Sequence, residues 1–359
     1  MTESTANAAS EAQKGAPPVA DVVIDAVVIG RNEGARLTHA LTALSGQVRR
    51  VVYVDSGSDD GSPAAARAAG AHVVALDMAQ PFTAARARNA GLAALAGDPP
   101  DLVQFLDGDC VLDSGWLDQA TRFLAAHPQV AAVCGRRREI APDASLYNRL
   151  CDWEWNTQTG PTRATGGDVL LRDAALRAIG GYRDDIIAGE DNEMSQRLLE
   201  AGHAIYRLDA DMSWHDAAMT RLGQFWRRAL RAGHAFAQLG RLYPGYFAAE
   251  RRRALIWAAG FPALALAGAG MAAAASAGWT MAGLALLALV TALHGLSLAR
   301  AALRFRRIGL SNRHAAQAAA LIWLSKYANL AGMALYHWRR WRGTPARIIE
   351  YKAPAGAGR

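Results

Sequence analysis

The sequence is poor in cysteine. Its 359 residues include three, Cys110, Cys134 and Cys151, and no two stand at C-x-x-C spacing. This excludes a disulfide framework and a zinc-ribbon motif, and it fits a reducing compartment. Two phosphate-binding signatures are also missing. No G-x-G-x-x-G follows the first apolar run and no G-x-x-x-x-G-K-[ST] occurs anywhere, which sets aside dinucleotide-binding and P-loop enzymes. Residues 1–20 are rich in Ala, Ser, Glu and Pro and carry no apolar core segment, so they read as a disordered lead-in and not a signal peptide. Acid is scarcer than base: 32 Asp and Glu against 39 Lys and Arg give a net charge of +7. A basic balance suits nucleic acid, anionic lipid or phosphorylated ligands. Here the arginines stand beside apolar runs in the C-terminal part, which favours lipid. Apolar residues make up 52% and mean hydropathy is +0.01, high for a wholly soluble chain.

What is present centres on Gln104-Phe105-Leu106-Asp107-Gly108-Asp109-Cys110. An apolar strand over 102–106 runs into two carboxylates separated by one glycine. On an extended backbone Asp107 and Asp109 would point the same way, and Gly108 would leave room for a close ligand. Two like charges so placed call for a cation, and an oxygen donor set with room for a diphosphate suits Mg²⁺ or Mn²⁺. An Asp/Gly surface turn is the plainer alternative.

The chain around this stretch alternates strand and helix. Apolar runs at 22–29, 51–54, 72–76 and 102–106 are separated by helical segments, an α/β rhythm with short connections and a parallel sheet. Polar groups gather after the first, second and fourth runs, where open α/β sheets bind ligands. Asp55 can accept hydrogen bonds from a base or ribose, or serve as a turn Asp before Gly57. Trp153 and Trp155 can stack on sugar rings or pack a helix onto the sheet. Thr165-Gly166-Gly167-Asp168 marks a close backbone approach. Glu190, Asp191 and Glu193 crowd one helix start, as caps and dipole partners or with one of them as a general base. A last strand is expected over 203–208. His215 follows in Met212-Ser213-Trp214-His215-Asp216, as a metal ligand or a hydrogen-bonded loop histidine. The Arg221–Gly233 segment, with Trp226 beside Arg227 and Arg228, reads as an interfacial helix or a phosphate clamp.

Two uncharged stretches, 254–274 and 280–299, are each roughly 20 residues, enough to span a bilayer core. Both are flanked by arginine, Arg251-Arg252-Arg253 before and Arg300, Arg304, Arg306, Arg307 and Arg313 after, so a hairpin with cytoplasmic ends is expected. A third apolar stretch, 315–337, carries Gln317, Ser325, Lys326 and Asn329 and is followed by Arg339, Arg340, Arg342 and Arg347. It is expected to lie at the interface or re-enter, a third span being the alternative. The domain expectation is a lead-in over 1–20, a catalytic domain over 21–240, a membrane-attached region over 241–345 and a tail over 346–359.

In order, the motifs R-N-E, V-D-S-G-S-D-D-G-S, A-R-A-R-N-A-G, D-G-D, G-G-D, G-E-D and W-H resemble the family 2 glycosyltransferases over about Val22 to Gly240. The hydrophobic tail resembles that of bacterial, membrane-attached members that build surface polysaccharides or glycolipids. The resemblance implies a GT-A fold with a mostly parallel central sheet, followed by a transmembrane helical hairpin and an interfacial helix. It implies a metal-dependent, inverting transfer of one sugar from a nucleotide-sugar donor to a lipid-linked or membrane-bound acceptor. Membrane lipid would be a further partner, and nucleic acid would not. The place would be the bacterial inner membrane, catalytic domain towards the cytoplasm. Carried over by residue, Asp55 would contact the base, and Arg31, Asn32, Glu33, Arg88, Asn89 and Gly167 would line the donor pocket. Asp107 would touch ribose or the metal (Mn²⁺ or Mg²⁺). Asp109 and His215 would hold that metal, Asp191, with Glu190 beside it, would be the catalytic base, and Trp153, Trp155, Arg227 and Arg228 would face the acceptor or its phosphate. Arg31 stands where many relatives have an aromatic. Gln224-Phe225-Trp226-Arg227-Arg228 lacks the final Trp of the processive Q-x-x-R-W, so one sugar per encounter is expected. The other readings are transfer onto polyprenyl phosphate itself, a non-catalytic nucleotide-binding membrane protein and, least well matched by Gly30-Arg31-Asn32-Glu33, a nucleotidyltransferase.

Overall fold

Near-continuous apolar strands need cover on both faces, and that requirement builds the first part of the chain. The structure, a computed structural model, describes residues 22–274, 276–344 and 347–351; the expected lead-in and most of the tail lie outside them. Nine strands form one sheet: β1 (Ile24–Gly30), β2 (Arg50–Asp55), β3 (His72–Ala75), β4 (Leu102–Asp107), β5 (Cys110–Leu112), β6 (Val130–Glu139), β7 (Gly160–Pro161), β8 (Val169–Arg172) and β9 (Ala204–His215). Along β1, Ala26 and Val28 face one apolar cluster while Val27 and Ile29 face another. This is the period of two that an extended backbone imposes.

The strand order is β3-β2-β1-β4-β8-β6-β9-β5, with β7 against β9. The β3-β2-β1-β4 half is parallel throughout. Beyond it the sheet is mixed: β8 runs antiparallel to both β4 and β6, while β6 and β9 are parallel. In register, Gly30 pairs with Asp55 and Ile29 with Asp107. The loops after β1, β2 and β4 therefore leave one edge of the sheet side by side. The last strand is longer than expected. β9 continues through Met212 to His215 because β5 and β6 pair with that segment on its two sides.

Two units divide the chain, one holding residues up to 142 with 151–218, the other 143–150 with 219–351. The second is helical: Leu222–Leu242, Ala248–Ala272 (through a π-turn at Ile256–Gly260), Ala277–Arg307 and Asn312–Trp341. The last three are long and apolar enough to cross a membrane. The third, expected to lie at the interface or re-enter, is one unbroken helix of 30 residues, so it contains no reversal.

Small residues let these helices meet backbone to backbone. A Cβ at Gly233 would lie 2.1 Å from the Asn329 carbonyl oxygen, and one at Gly332 would lie 2.0 Å from that of Leu230. Gly268 and Gly283 serve the helical hairpin in the same way, with a Cβ at Gly283 only 2.3 Å from the Ala272 nitrogen. Gly233→Val is expected to destabilise the helical unit by about 1–3 kcal/mol through overpacking, read as a fall in Tm in detergent. Gly223→Ala, where no atom lies within 4 Å of the new Cβ, should leave Tm unchanged or raise it. Equal losses from the two would refute the close crossing.

Candidate active site

At the shared sheet edge the first two loops hold each other. Asn32 adopts the left-handed region at φ 58°. Its backbone N–H donates to Ser58 Oγ at 2.9 Å and its Oδ1 accepts from the Asp59 N–H at 2.9 Å. Asp55 is buried and closes its own turn, accepting from the Gly57 and Ser58 N–H groups at 3.1 and 3.0 Å and from the Tyr53 hydroxyl at 3.1 Å. This is the turn role the local sequence offered. Glu33 pairs with Arg36 at 2.9 Å, and the Arg31 guanidinium lies over the Phe82 ring at 5.0 Å.

The D-G-D stretch departs from the extended form. β4 ends at Asp107, Gly108-Asp109 is a tight turn, and β5 begins at Cys110. The two carboxylates consequently serve different neighbourhoods. Gly108 is a close packing point, since a Cβ there would meet the Ile29 carbonyl oxygen at 3.1 Å and Glu33 Cγ at 3.2 Å. The space beside Gly108 expected for a ligand is filled by the end of β1 and Glu33.

Asp107 enters a run of alternating charges. Arg88, 2% exposed on the helix Ala84–Ala94, gives one Nη to Asp107 at 2.8 Å and the other to Glu190 at 2.7 Å. Arg137 on β6 lies 3.4 Å from Asp107 and 2.8 Å from the fully buried Asp168. Asp168 in turn accepts from the Asp107 N–H at 3.0 Å and the Ser213 hydroxyl at 2.6 Å. Burial pushes the Asp107 carboxyl up, but the guanidiniums of Arg88 and Arg137 outweigh it and hold it below the usual range. At Asp168 burial prevails and the carboxyl is raised. Gly167 makes the run possible: a Cβ there would lie 2.9 Å from both Arg88 Nη2 and Asp107 Oδ2.

Asp109 faces His215 instead. Nε2 of His215 is 3.5 Å from Asp109 Oδ1, and Nδ1 is 3.7 Å from Glu139 Oε2. The sheet sets this arrangement, because His215 is paired with Cys110 on one side and with Glu139 on the other. One carboxylate oxygen and one imidazole nitrogen at this separation fit a single ion, since donors about 2.1 Å from a metal at right angles lie roughly 3 Å apart. Burial pushes the Cys110 thiol well up, so it stays protonated and donates to Asp109 instead of acting as a thiolate. The hard, oxygen-bearing remainder suits Mn²⁺ or Mg²⁺ better than a thiophilic ion. Trp155 stands edge-on to His215 at 4.7 Å with the Arg137 guanidinium 5.7 Å from its ring centre. Trp153 precedes it by two positions on the same helix, Leu146–Trp155, and is partly buried.

The acidic helix Glu190–Glu200 sorts its carboxylates. Gly189 precedes it at φ 76° and offers no side-chain cap. Glu190 is held by Arg88, and the fully buried Glu193 by Arg197 at 2.7 Å. Among the described residues Asp191 forms no ion pair. It is partly exposed, and burial together with neighbouring Glu190 raises its carboxyl. Asn89 is occupied elsewhere: its amide donates to the Tyr182 carbonyl and to Asp184, each at 2.7 Å, and so braces the loop leading to this helix. Arg227 and Arg228 belong to the other unit, on Leu222–Leu242, exposed and partly buried respectively.

Comparison with known proteins fits this geometry. Residues 25–178 match Glycosyl transferase family 2. Over that segment the chain is similar to the family 2 glycosyltransferases. A pre-mycofactocin glycosyltransferase of Mycobacterium tuberculosis is 28% identical over 238 residues, covering 61% of this chain and 47% of its own length. An O-antigen chain rhamnosyltransferase of Salmonella anatum is 23% identical over 180 residues, covering 46% and 56%. The chain thus spans about half the length of these curated relatives. A mannosyltransferase from Pyrobaculum calidifontis, solved with GDP-Man and Mn²⁺, superposes with a TM-score of 0.58 over 93% of each chain at 22% identity, and shares the GT-A-type fold.

Local sequence does not point to Arg137, Glu139 or Ser213, and it gives Asp168 only a place beside two glycines. The available signals were the buried-strand position of Arg137 and Glu139 and the Gly-Gly-Asp step. Arg88→Met should cost about 3–5 kcal/mol in denaturant unfolding, because it strands Asp107 and Glu190 without their counter-charge. Arg122→Met, which breaks the exposed pair with Asp118, should cost no more than about 1 kcal/mol. A similar cost for both would show that the buried pairing is not formed.

Proposed function

We propose that the chain is a metal-dependent, inverting glycosyltransferase that moves one sugar from a nucleotide-sugar donor to a lipid-linked or membrane-bound acceptor. The observation that carries it is the division of acidic groups. Asp109 and His215 form a donor pair at a separation that suits a cation, Asp107 and Glu190 are neutralised through Arg88, and Asp191, with a raised carboxyl, accepts from the Asn192 amide and forms no ion pair among the described residues.

In this reading Asp109 and His215 hold Mn²⁺ or Mg²⁺, with Glu139 orienting the imidazole from the far side. The imidazole nitrogen tilts the choice towards Mn²⁺, since Mg²⁺ prefers oxygen throughout. Bound there, the ion would neutralise charge building on the diphosphate leaving group. The loops after β1 and β2, with Arg31, Asn32, Glu33 and Asp55, take the nucleoside. Asp107, Arg88 and Gly167 shape the floor under the sugar, and Asn89 acts at one remove through the 182–184 loop. Asp191 takes the proton of the acceptor hydroxyl as that oxygen attacks the anomeric carbon opposite the leaving diphosphate, so configuration inverts. Glu190 keeps Arg88 in place and is not the base. Trp153 and Trp155 offer faces on which an acceptor sugar can stack, and Arg227 and Arg228 suit an acceptor phosphate. The three apolar helices support attachment to a membrane. We assign this to the bacterial inner membrane, with the glycosyltransferase domain on the cytoplasmic side where the arginines flank the hairpin.

The direct test is nucleotide release by the detergent-solubilised protein from a panel of UDP-, GDP- and dTDP-sugars, with membrane lipid extract, with and without Mn²⁺. Metal-dependent turnover of one donor is expected. Tight nucleotide binding without any turnover would instead favour the non-catalytic reading. Asp191→Asn should lower kcat by roughly 10²–10⁴. A base works only when ionised, and the Asp191 carboxyl is raised. The acid limb of the kcat/KM profile should therefore lie above the ~3.9 of an ordinary Asp, and Asp191→Asn should lose that limb. An unchanged profile in Asp191→Asn, with the limb lost in Glu190→Gln, would move the base to Glu190. Asp109→Ala and His215→Ala should each weaken Mn²⁺ binding at least tenfold by calorimetry in the absence of donor. Unaltered Mn²⁺ affinity in both would place the ion elsewhere.

A further inference from the structure

Two arginines are more than nine-tenths buried among the described residues, and the fold treats them in opposite ways. Arg88, 2% exposed, pairs with Asp107 and Glu190. Arg207, on β9 and 8% exposed, pairs with no carboxylate among the described residues. Its Nη2 donates to the Trp155 carbonyl at 2.8 Å, and its Nε–H is buried without a partner. Trp155 ends the helix Leu146–Trp155, and a helix C-terminus carries only about half a negative charge.

The surroundings make this charge less comfortable still. Burial first, and then the neighbouring charge of Arg136, hold the Arg207 guanidinium below its usual value, and the exposed Asp209 attracts it without forming a pair. Arg136 is itself loosely held, with a buried, unbonded Nε and a 4.0 Å pair to Asp152. A buried guanidinium is retained where something of full charge neutralises it. In Arg207 the protein's own side chains do not.

The place of Arg207 in the sheet narrows what it can serve. The helix Glu190–Glu200 turns back into β9 through residues 201–203, and its Met194 and Leu198 share an apolar cluster with Ile205. Asp191 lies one turn before Met194 on that helix. Arg207 lies two residues beyond Ile205, on the same side of the strand. Just past the apolar contact, therefore, the helix presents Asp191 and the strand presents Arg207, with no ion pair between them. Cys134, the register partner of Arg207, senses both. Burial pushes its thiol up to about 12, with Arg207 drawing it down and Asp191 driving it up. Trp155 stands on the other side, its ring edge-on to His215 and its carbonyl on Arg207. A donor diphosphate held at Asp109 and His215 would thus lie across Trp155 from this guanidinium.

We propose that Arg207, supported by Arg136, binds an oxyanion carried by the acceptor, a carboxylate or phosphate close to the hydroxyl that receives the sugar. The inference rests on the transferase reading with Asp191 as base. An acceptor ring stacked on Trp155 is then fixed at two ends, its hydroxyl at Asp191 and its oxyanion on the planar fork of Arg207. A neutral acceptor leaves the guanidinium uncompensated, so Arg207 selects acidic acceptors.

The first test needs no donor, metal or turnover. Inorganic phosphate and, separately, acetate are titrated into the detergent-solubilised protein while Tm is read. One of them should raise Tm saturably, phosphate pointing to a phosphorylated acceptor and acetate to a carboxylated one. Arg207→Met should weaken that response at least tenfold, and it also controls for general salt effects. Its Tm without anion should hold or rise, because an uncompensated buried charge is gone. Arg207→Lys, which keeps the charge and loses the fork, should respond between the two. A lowered Tm in Arg207→Met with an undiminished anion response overturns the proposal and leaves Arg207 as a cap on the helix end. No saturable response to either anion overturns it as well. In turnover with membrane lipid extract, Arg207→Met should raise the half-saturating amount of extract more than the donor KM, and a rise confined to the donor KM refutes the acceptor role. Turnover lost in Asp191→Asn with no anion response at Arg207 would sink this inference and leave the transferase reading standing. An Arg207-dependent anion response without turnover of any donor would sink that reading and the acceptor assignment with it.

Discussion

The site turns on one buried guanidinium. Arg88 is almost wholly withdrawn from water, and a charge so placed survives only when it is paired. Asp107, at the end of a central strand, and Glu190, at the start of the acidic helix, supply that pairing from opposite sides. The side chain therefore works as a tie rod between the sheet edge and the helix that carries Asp191. Neither carboxylate can move away without leaving both its own charge and that of Arg88 uncompensated. In the proposed reaction this fixes the separation between the group under the sugar and the group that takes the proton, and such positioning is what makes a general base effective.

The same tie explains why small residues surround it. Gly167 brings backbone against Arg88 and Asp107, and Gly108 brings the D-G-D turn against the end of β1. Any side chain at either point would push apart groups that must lie within hydrogen-bonding distance. The glycines serve the protein's own charge pairing first. The ligand-facing surface is what remains after those internal contacts are made.

How much of this could be read in the residues follows from range. The parallel strands were legible because a doubly covered strand must be apolar along its length, and 102–106 and 51–54 are. The loops carrying Asp55, Asp107 and the acidic helix were legible because strand ends and helix starts have local signals. What escaped was pairing at a distance. Nothing beside Met212-Ser213-Trp214-His215 says that β5 and β6 will extend it as strand, and without that pairing Glu139 and His215 do not meet. Asp107 and Asp109, two apart, suggested one shared cation, whereas a turn between them sends one to Arg88 and Arg137 and the other to His215. Asn89, in a motif that resembles a donor-pocket element, is taken up by a loop more than 90 residues away.

The charge of the chain is divided in a way that bears on its chemistry. The net +7 hides a cluster at the sheet edge in which carboxylates outnumber guanidiniums: Asp107, Asp109, Asp168, Glu190 and Asp191 surround Arg88 and Arg137. In the proposed reaction a diphosphate brought there meets the negative charge that Arg88 and Arg137 leave unbalanced. At an effective dielectric of about 20, each like charge within about 4 Å costs on the order of 4 kcal/mol. In the proposed reaction a nucleotide-sugar beside these carboxylates needs positive charge brought with it, and Asp109 with His215 is the donor pair proposed to hold such an ion. Within the proposed function, the surplus of acid is thus a second argument for a cation at the donor site, independent of any one distance within it.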